Sequence, residues 1–95
     1  MVGAPDPTPA DRALARSLAA NAVSAALAVI DADGLPYAAL IAPGLAPDGT
    51  PLALVSDLAA HGRALAADGR ASLLYAAPID PANPLTGARL TLQGR

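Results

Sequence analysis

The sequence has no cysteine, tryptophan, phenylalanine, lysine or glutamate, and only one histidine and one methionine in 95 residues. Each absence excludes something. Without cysteine there are no disulfides, no thiolate chemistry and no Cys-ligated zinc or iron–sulfur site. A single histidine, His61, with no acidic pair nearby gives no metal-ligand spacing. Six arginines and eight aspartates carry all the side-chain charge, for a formal net charge of -2. That balance argues against general nucleic-acid binding, which needs a concentrated basic surface. Aromatic residues are 2% of the chain, and the apolar content is largely Ala, Leu and Val. Alanine buries little area, so the core obtainable per residue is thin.

What is present is apolar. Hydrophobic residues make up 54% and charged residues 15%, which excludes an intrinsically disordered chain. The length suits one small domain that buries roughly 60–65% of its unfolded surface. A thin core in a short chain predicts a partner surface, and a second copy of the chain is the simplest one. The run "LARSLAANAVSAALAVI" (14–30) resembles a signal-peptide apolar region preceded by Arg12 and Arg16. Asp6 and Asp11 cancel that positive flank, and Asn21 and Ser24 interrupt the run. It is also too short to span a membrane, which takes about 20 apolar residues. The expected location is the cytoplasm, with no membrane partner.

Residues 1–9, "MVGAPDPTP", have three prolines and no periodicity, and read as a disordered leader. A helix follows, with Thr8 or Asp11 as cap, Pro9 in its first turn, and Ala10, Leu14 and Leu18 on one face. Residues 24–42 form a hairpin candidate around "DADG", where Gly34 can take the turn's positive φ. Its two runs are nearly continuous rather than alternating, so both sheet faces should be covered. A loop over 43–51 turns at Asp48–Gly49, and a strand occupies 52–56. Residues 57–69 read as a helix capped by Asp57, with Leu58 and Leu65 inward and Gly69 as the stop. A strand over 70–77, a proline-rich loop over 78–87 and a half-buried strand over 88–95 complete the chain. The fold class is therefore mainly β with α: an antiparallel meander with an N-terminal helix and one helix between strands 3 and 4. Five short strands leave edges exposed, so the barrel is expected to be incomplete.

Few constellations carry chemistry. Neither "DADG" nor "PDGTP" opens a helix after a strand as a phosphate loop requires. Ser56, Asp57 and His61 have the residue types of a hydrolase triad, but they crowd one connection and no G-x-S-x-G elbow is present. An anion site remains. Ser56 ends a strand, the amides after it start a helix, and His61 and Arg63 follow within about one turn. The plainer alternative is that Ser56 and Asp57 only cap the helix while His61 and Arg63 face water. Arg89 is equally readable as a solvated edge-strand residue, and Tyr37 and Tyr75 as core-edge aromatics.

The succession "AALAVIDADGLPYAALIA", "GTPLALVSDLAAHGRAL", "DGRASLLYAAP" and "GARLTLQGR" resembles the FMN-binding split barrel of pyridoxamine 5'-phosphate oxidase-related proteins. It is most similar to the HugZ-type branch, whose members include haem-degrading proteins. The resemblance covers residues 10–95 and implies a homodimer with FMN at its interface. The family pattern "SDLAxHTxNL" is matched by Ser56, Asp57, Leu58, His61 and Leu65. By that likeness Ala39, Leu40, Ile41, Ser56, His61, Arg63, Arg89 and Gln93 are the expected cofactor-binding residues. Three departures remove polar groups: Ala39, Gly62 and Ala64 stand where the family has Ser, Thr and Asn. Family members also continue past the last strand, so the domain over 10–95 is expected to be truncated at its C-terminus. The resemblance implies an FMN-dependent oxidoreductase-like domain, with substrate and catalytic residue unassigned. Its alternatives are a flavin-free haem- or protein-binding scaffold of the same fold and an inactive fragment.

Overall fold

The computed structural model describes residues 6–95. The first five residues of the expected leader lie outside it. Pro9 already belongs to the first helix, α1 (Pro9–Asn21), and Thr8 is its N-cap. The Thr8 hydroxyl accepts from the Asp11 N–H at 3.1 Å, and the Asp11 carboxylate accepts from the Thr8 N–H at 2.9 Å. This reciprocal box satisfies two amides that the first turn would leave unpaired. The Thr8 N–H also holds the Asp11 carboxyl below its ordinary range. The helix face turns slightly from the expected one. Ala19 is buried, Leu18 and Ala22 pack beside it, and Leu14 is half in solvent.

Strands β1 (Ala25–Ile30) and β2 (Pro36–Leu45) form the expected hairpin, from the Ala25–Ile41 pair to the Ile30–Pro36 pair. Asp31 organises the turn by accepting from the Asp33 and Leu35 N–H groups, both at 2.9 Å. Gly34 takes a φ of +79°, a region that costs other residues steric strain. The strand does not stop at Ala42, before a loop starting at Pro43, as the sequence reading expected. It runs on to Leu45 and pairs with β3 (Pro51–Leu54). The Ala46 N–H donates to the Thr50 carbonyl, so by antiparallel alternation the Pro43–Ala53 pair is not hydrogen-bonded. The imide nitrogen of Pro43 therefore faces the β1 side, where β1 pairing has already stopped at Ile41. Its missing N–H deprives no partner.

Helix α2 (Ala60–Ala67) leads to β4 (Ala71–Ala76), and the 78–87 loop leads to β5 (Arg89–Gly94). The sheet order is β3-β2-β1-β4-β5, with every neighbouring pair antiparallel. Residues at both edges, Thr50 to Ala53 and Leu92 to Arg95, line one cavity of about 430 Å³. The sheet thus curls until its edges face each other, giving a split-barrel half with two helices.

Period-two geometry sends alternate residues to opposite faces. Ala25, Leu27 and Val29 of β1 share the inner face with Ile41 and Tyr75, and these are buried with Ala19 of α1 and Ala64 of α2. Among the described residues no polar or charged residue is buried, and the one buried polar side-chain atom without a partner is the Tyr75 hydroxyl. The outer face is different. Leu40, Leu52, Leu54 and Leu74 lie on it, 75%, 50%, 78% and 44% exposed.

Candidate functional site

The connection between β3 and β4 is built otherwise than the sequence suggested. Asp57 does not cap α2. The Ser56 hydroxyl accepts from the Leu58 N–H at 3.1 Å, and the Ser56 carbonyl accepts from the Ala59 N–H. This turn absorbs residues 56–59 before the helix can begin, and Ala59 is the N-cap without a side-chain bond. Leu58 is consequently flung outward, 88% exposed, while Leu65 packs against the core. Gly69 does not stop the helix either. Asp68 does so in extended conformation, its N–H bonded to the Ala64 carbonyl at 2.9 Å.

Gly62 explains why α2 can lie where it does. A Cβ on this residue would sit 2.0 Å from the Ser56 carbonyl oxygen. The helix backbone thus rests directly on the end of the connection, and only glycine permits that approach. The threonine that the resemblance places here would not fit this packing. Ala64, the other departure on this helix, is buried in the core.

The expected site residues fall into three groups. Ser56, His61 and Arg63 stay together in the connection. Ser56 and Arg63 are exposed, and His61 is half-buried on α2. Arg63 Nη1 donates to the Leu58 carbonyl at 2.6 Å, which fixes the guanidinium beside the helix start with its remaining donors free. The Ser56 hydroxyl keeps its own proton for donation. Ala39, Leu40 and Ile41 form the second group, but alternation splits them: Ala39 and Ile41 face inward, and Leu40 faces outward. Arg89 and Gln93 form the third, on the outer face of β5 opposite Ala76 and Ser72.

Sequence reading missed a groove on that outer face. Leu40, Ala26, Leu74 and Thr91 stand in register across β2, β1, β4 and β5. The small Ala26 makes a floor between two leucine walls. With Val23, Ala76 and Ile79 at its end, the groove encloses about 660 Å³. Val23 is 91% and Ile79 62% exposed. Its signal in the sequence was the nearly continuous apolar runs of the 24–42 hairpin, which announced a second covered surface without locating it. Among the described residues no group of His, Cys, Asp and Glu could hold a metal ion, and no helix is long and apolar enough to cross a membrane.

No protein-family model and no curated protein matches the sequence. Solved structures do match. The chain is 44% identical to a heme binding protein from Mycobacterium smegmatis, with a TM-score of 0.76, over 84% of this chain and 33% of that one. It is 36% identical to a protein of unknown function from Agrobacterium tumefaciens, with a TM-score of 0.82, over 93% of this chain and 38% of that one. HutZ, the heme storage protein from Vibrio cholerae, is 21% identical with a TM-score of 0.66, over 93% of this chain and 60% of that one. A further solved chain, 46% identical with a TM-score of 0.88, is covered over 62% of its length. The chain thus spans between a third and just under two thirds of the length of the proteins it matches. The curled five-stranded sheet with two helices is the split-barrel fold, and structures of that fold include haem-binding proteins.

Proposed function

We propose that this domain binds haem without flavin, as a split-barrel scaffold that pairs with a second copy of itself. The observation that carries the reading is the 44% identity to a heme binding protein, maintained at a TM-score of 0.76. The outer-face groove fits such a ligand in kind: its volume lies within the roughly 300–1,000 Å³ of small-molecule sites, and its lining is mostly apolar. Bound haem would supply the iron and its chemistry, while this chain's residues hold the ring and exclude water. No side chain is assigned a catalytic role. Pairing is supported by the outer leucines on β2 and β3, Leu40, Leu52 and Leu54, which stay 50–78% exposed among the described residues.

Flavin is the second reading, favoured by an Arg63 guanidinium and a Ser56 hydroxyl that are both bonded to the Leu58 backbone. Against it, Gly62 and Ala64 offer the phosphate no side-chain donors. Parallel titrations separate the two. Haem binding is followed by the Soret band and FMN binding by flavin fluorescence, with gel filtration alongside. Saturable micromolar haem binding with no FMN saturation is expected. Saturable FMN binding, weakened in His61→Ala and Arg63→Ala, would overturn the haem reading. A folded dimer that takes neither ligand would leave a protein-binding scaffold.

A further inference from the structure

Resting on the haem reading, we infer that the outer-face groove over Ala26 holds the porphyrin ring by its faces and carboxylates, with no side chain of the groove on the iron. Three observations converge. The cross-strand row Leu40–Ala26–Leu74 places a small residue between two branched ones, which makes a flat-floored trough rather than a round pocket. Val23 and Ile79, both mostly exposed, extend its apolar lining within a volume of about 660 Å³. Arg89 stands on the same outer face, in register with Ala76 at the trough's end. Its guanidinium matches a propionate, since planar forks pair carboxylates through two parallel hydrogen bonds. Arg89 is the one charged residue among the outward-facing positions of the five described strands, which puts a cation next to the trough residue Ala76.

The trough's lining contains no imidazole, phenol, thioether or thiol. These are the groups that ligate haem iron in proteins. The site therefore recognises a flat apolar dicarboxylate, and the metal adds little to the binding energy. Iron-free protoporphyrin should bind about as tightly as haem.

The experiment compares haem and protoporphyrin titrations of the full chain with those of Leu74→Asp and Arg89→Glu. Both positions are exposed or half-exposed, and circular dichroism confirms that the variants fold. The expected result is that the two ligands bind within about threefold of each other. Each substitution then weakens both by about tenfold or more, as loss of a charge-assisted bond or entry of a buried charge demands. Haem binding far tighter than protoporphyrin, lost in His61→Ala, would overturn the inference by placing a ligand on the iron while sparing the haem reading. Unchanged porphyrin affinity in a Leu74→Asp variant that has become monomeric would overturn it too, assigning the trough to the second copy. No binding of either ligand by the folded wild-type chain would overturn both the inference and the haem reading.

Discussion

The two faces of one sheet are made from the same strands and nearly the same residue types, yet only one is covered. On the inner face Leu27 and Val29 are each 2% exposed, in one cluster with Ala19 of α1 and Ala64 of α2. On the outer face Leu54 and Leu40 exceed 70% exposure, with no described element over them. Apolar content alone therefore does not identify a core. What distinguishes the faces is register: a one-residue shift along β1 passes from Leu27, buried in the core, to the half-buried Ala26 or Ala28 on the outer face. A surface with that much leucine in water is held for something outside the chain.

The largest effects should separate the faces directly. Leu27→Ala should lose about 2–5 kcal/mol of unfolding free energy, through lost burial and the cavity left behind. Leu54→Ala, measured in dilute protein where no second copy is bound, should change stability by no more than about 0.5 kcal/mol. Urea unfolding of both variants checks this. Equal losses in dilute protein would break the comparison by showing that the outer face is packed within one chain.

Two glycines sharpen it at a smaller scale. At Gly62, on the inner side, an added Cβ meets the Ser56 carbonyl oxygen at 2.0 Å, whereas at Gly44, in the outer part of β2, nothing lies within 4 Å. Gly62→Ala should cost about 1–3 kcal/mol by forcing α2 off the connection. Gly44→Ala should stay within about 0.5 kcal/mol. If Gly62→Ala is as mild as Gly44→Ala, α2 does not rest on Ser56 as described.

Tyr75 tests the one imperfection of the inner face. It is fully buried, its hydroxyl has no hydrogen-bond partner, and burial pushes its pKa up. Removing an unsatisfied hydroxyl should help rather than hurt, so Tyr75→Phe should raise stability by up to about 1 kcal/mol in thermal melts. A loss of that size would show that the hydroxyl has a partner in solution, such as an enclosed water.

Much of this architecture was legible because local chemistry dictates it. Gly34 and Asp31 make the first turn, Asp48 and Gly49 the second, and Thr8 with Asp11 the first cap, each through short-range bonds that spacing reveals. The misreadings share a different cause. The length of β2 depended on where β1 stops pairing beside Pro43, and the start of α2 on whether Ser56 bonds forward to Leu58 or yields to Asp57. Gly62 looked like a lost threonine, but its role is set by a carbonyl six residues earlier. Each is a contact between segments, invisible in the spacing of either one. The candidate site was legible in part for the same reason: Ser56, His61 and Arg63 are close in sequence and stay together, whereas the outer-face groove exists only through cross-strand register.

The smallest effect belongs to neither face. At the end of α2, Arg70 Nε donates to both Asp68 oxygens, at 3.0 and 3.2 Å, and its Nη2 donates to Oδ2 at 2.7 Å. These bonds lower the Asp68 pKa from 3.8 to about 2. The folded chain thus binds its proton more weakly than the unfolded chain does. The pair's contribution is present above pH 3.8 and is lost as the pH falls through about 2. Both side chains reach solvent, 30% for Asp68 and 59% for Arg70, so the effect on the melting temperature should be close to nil. The titration itself is the sensitive readout. Carboxyl chemical shifts should give Asp68 a midpoint near 2, and Arg70→Ala should return it toward 3.8. A midpoint unmoved by Arg70→Ala would mean that the Arg70 N–H or Arg95, rather than the fork, holds the carboxylate, and that the α2–β4 corner is not fixed by this pair.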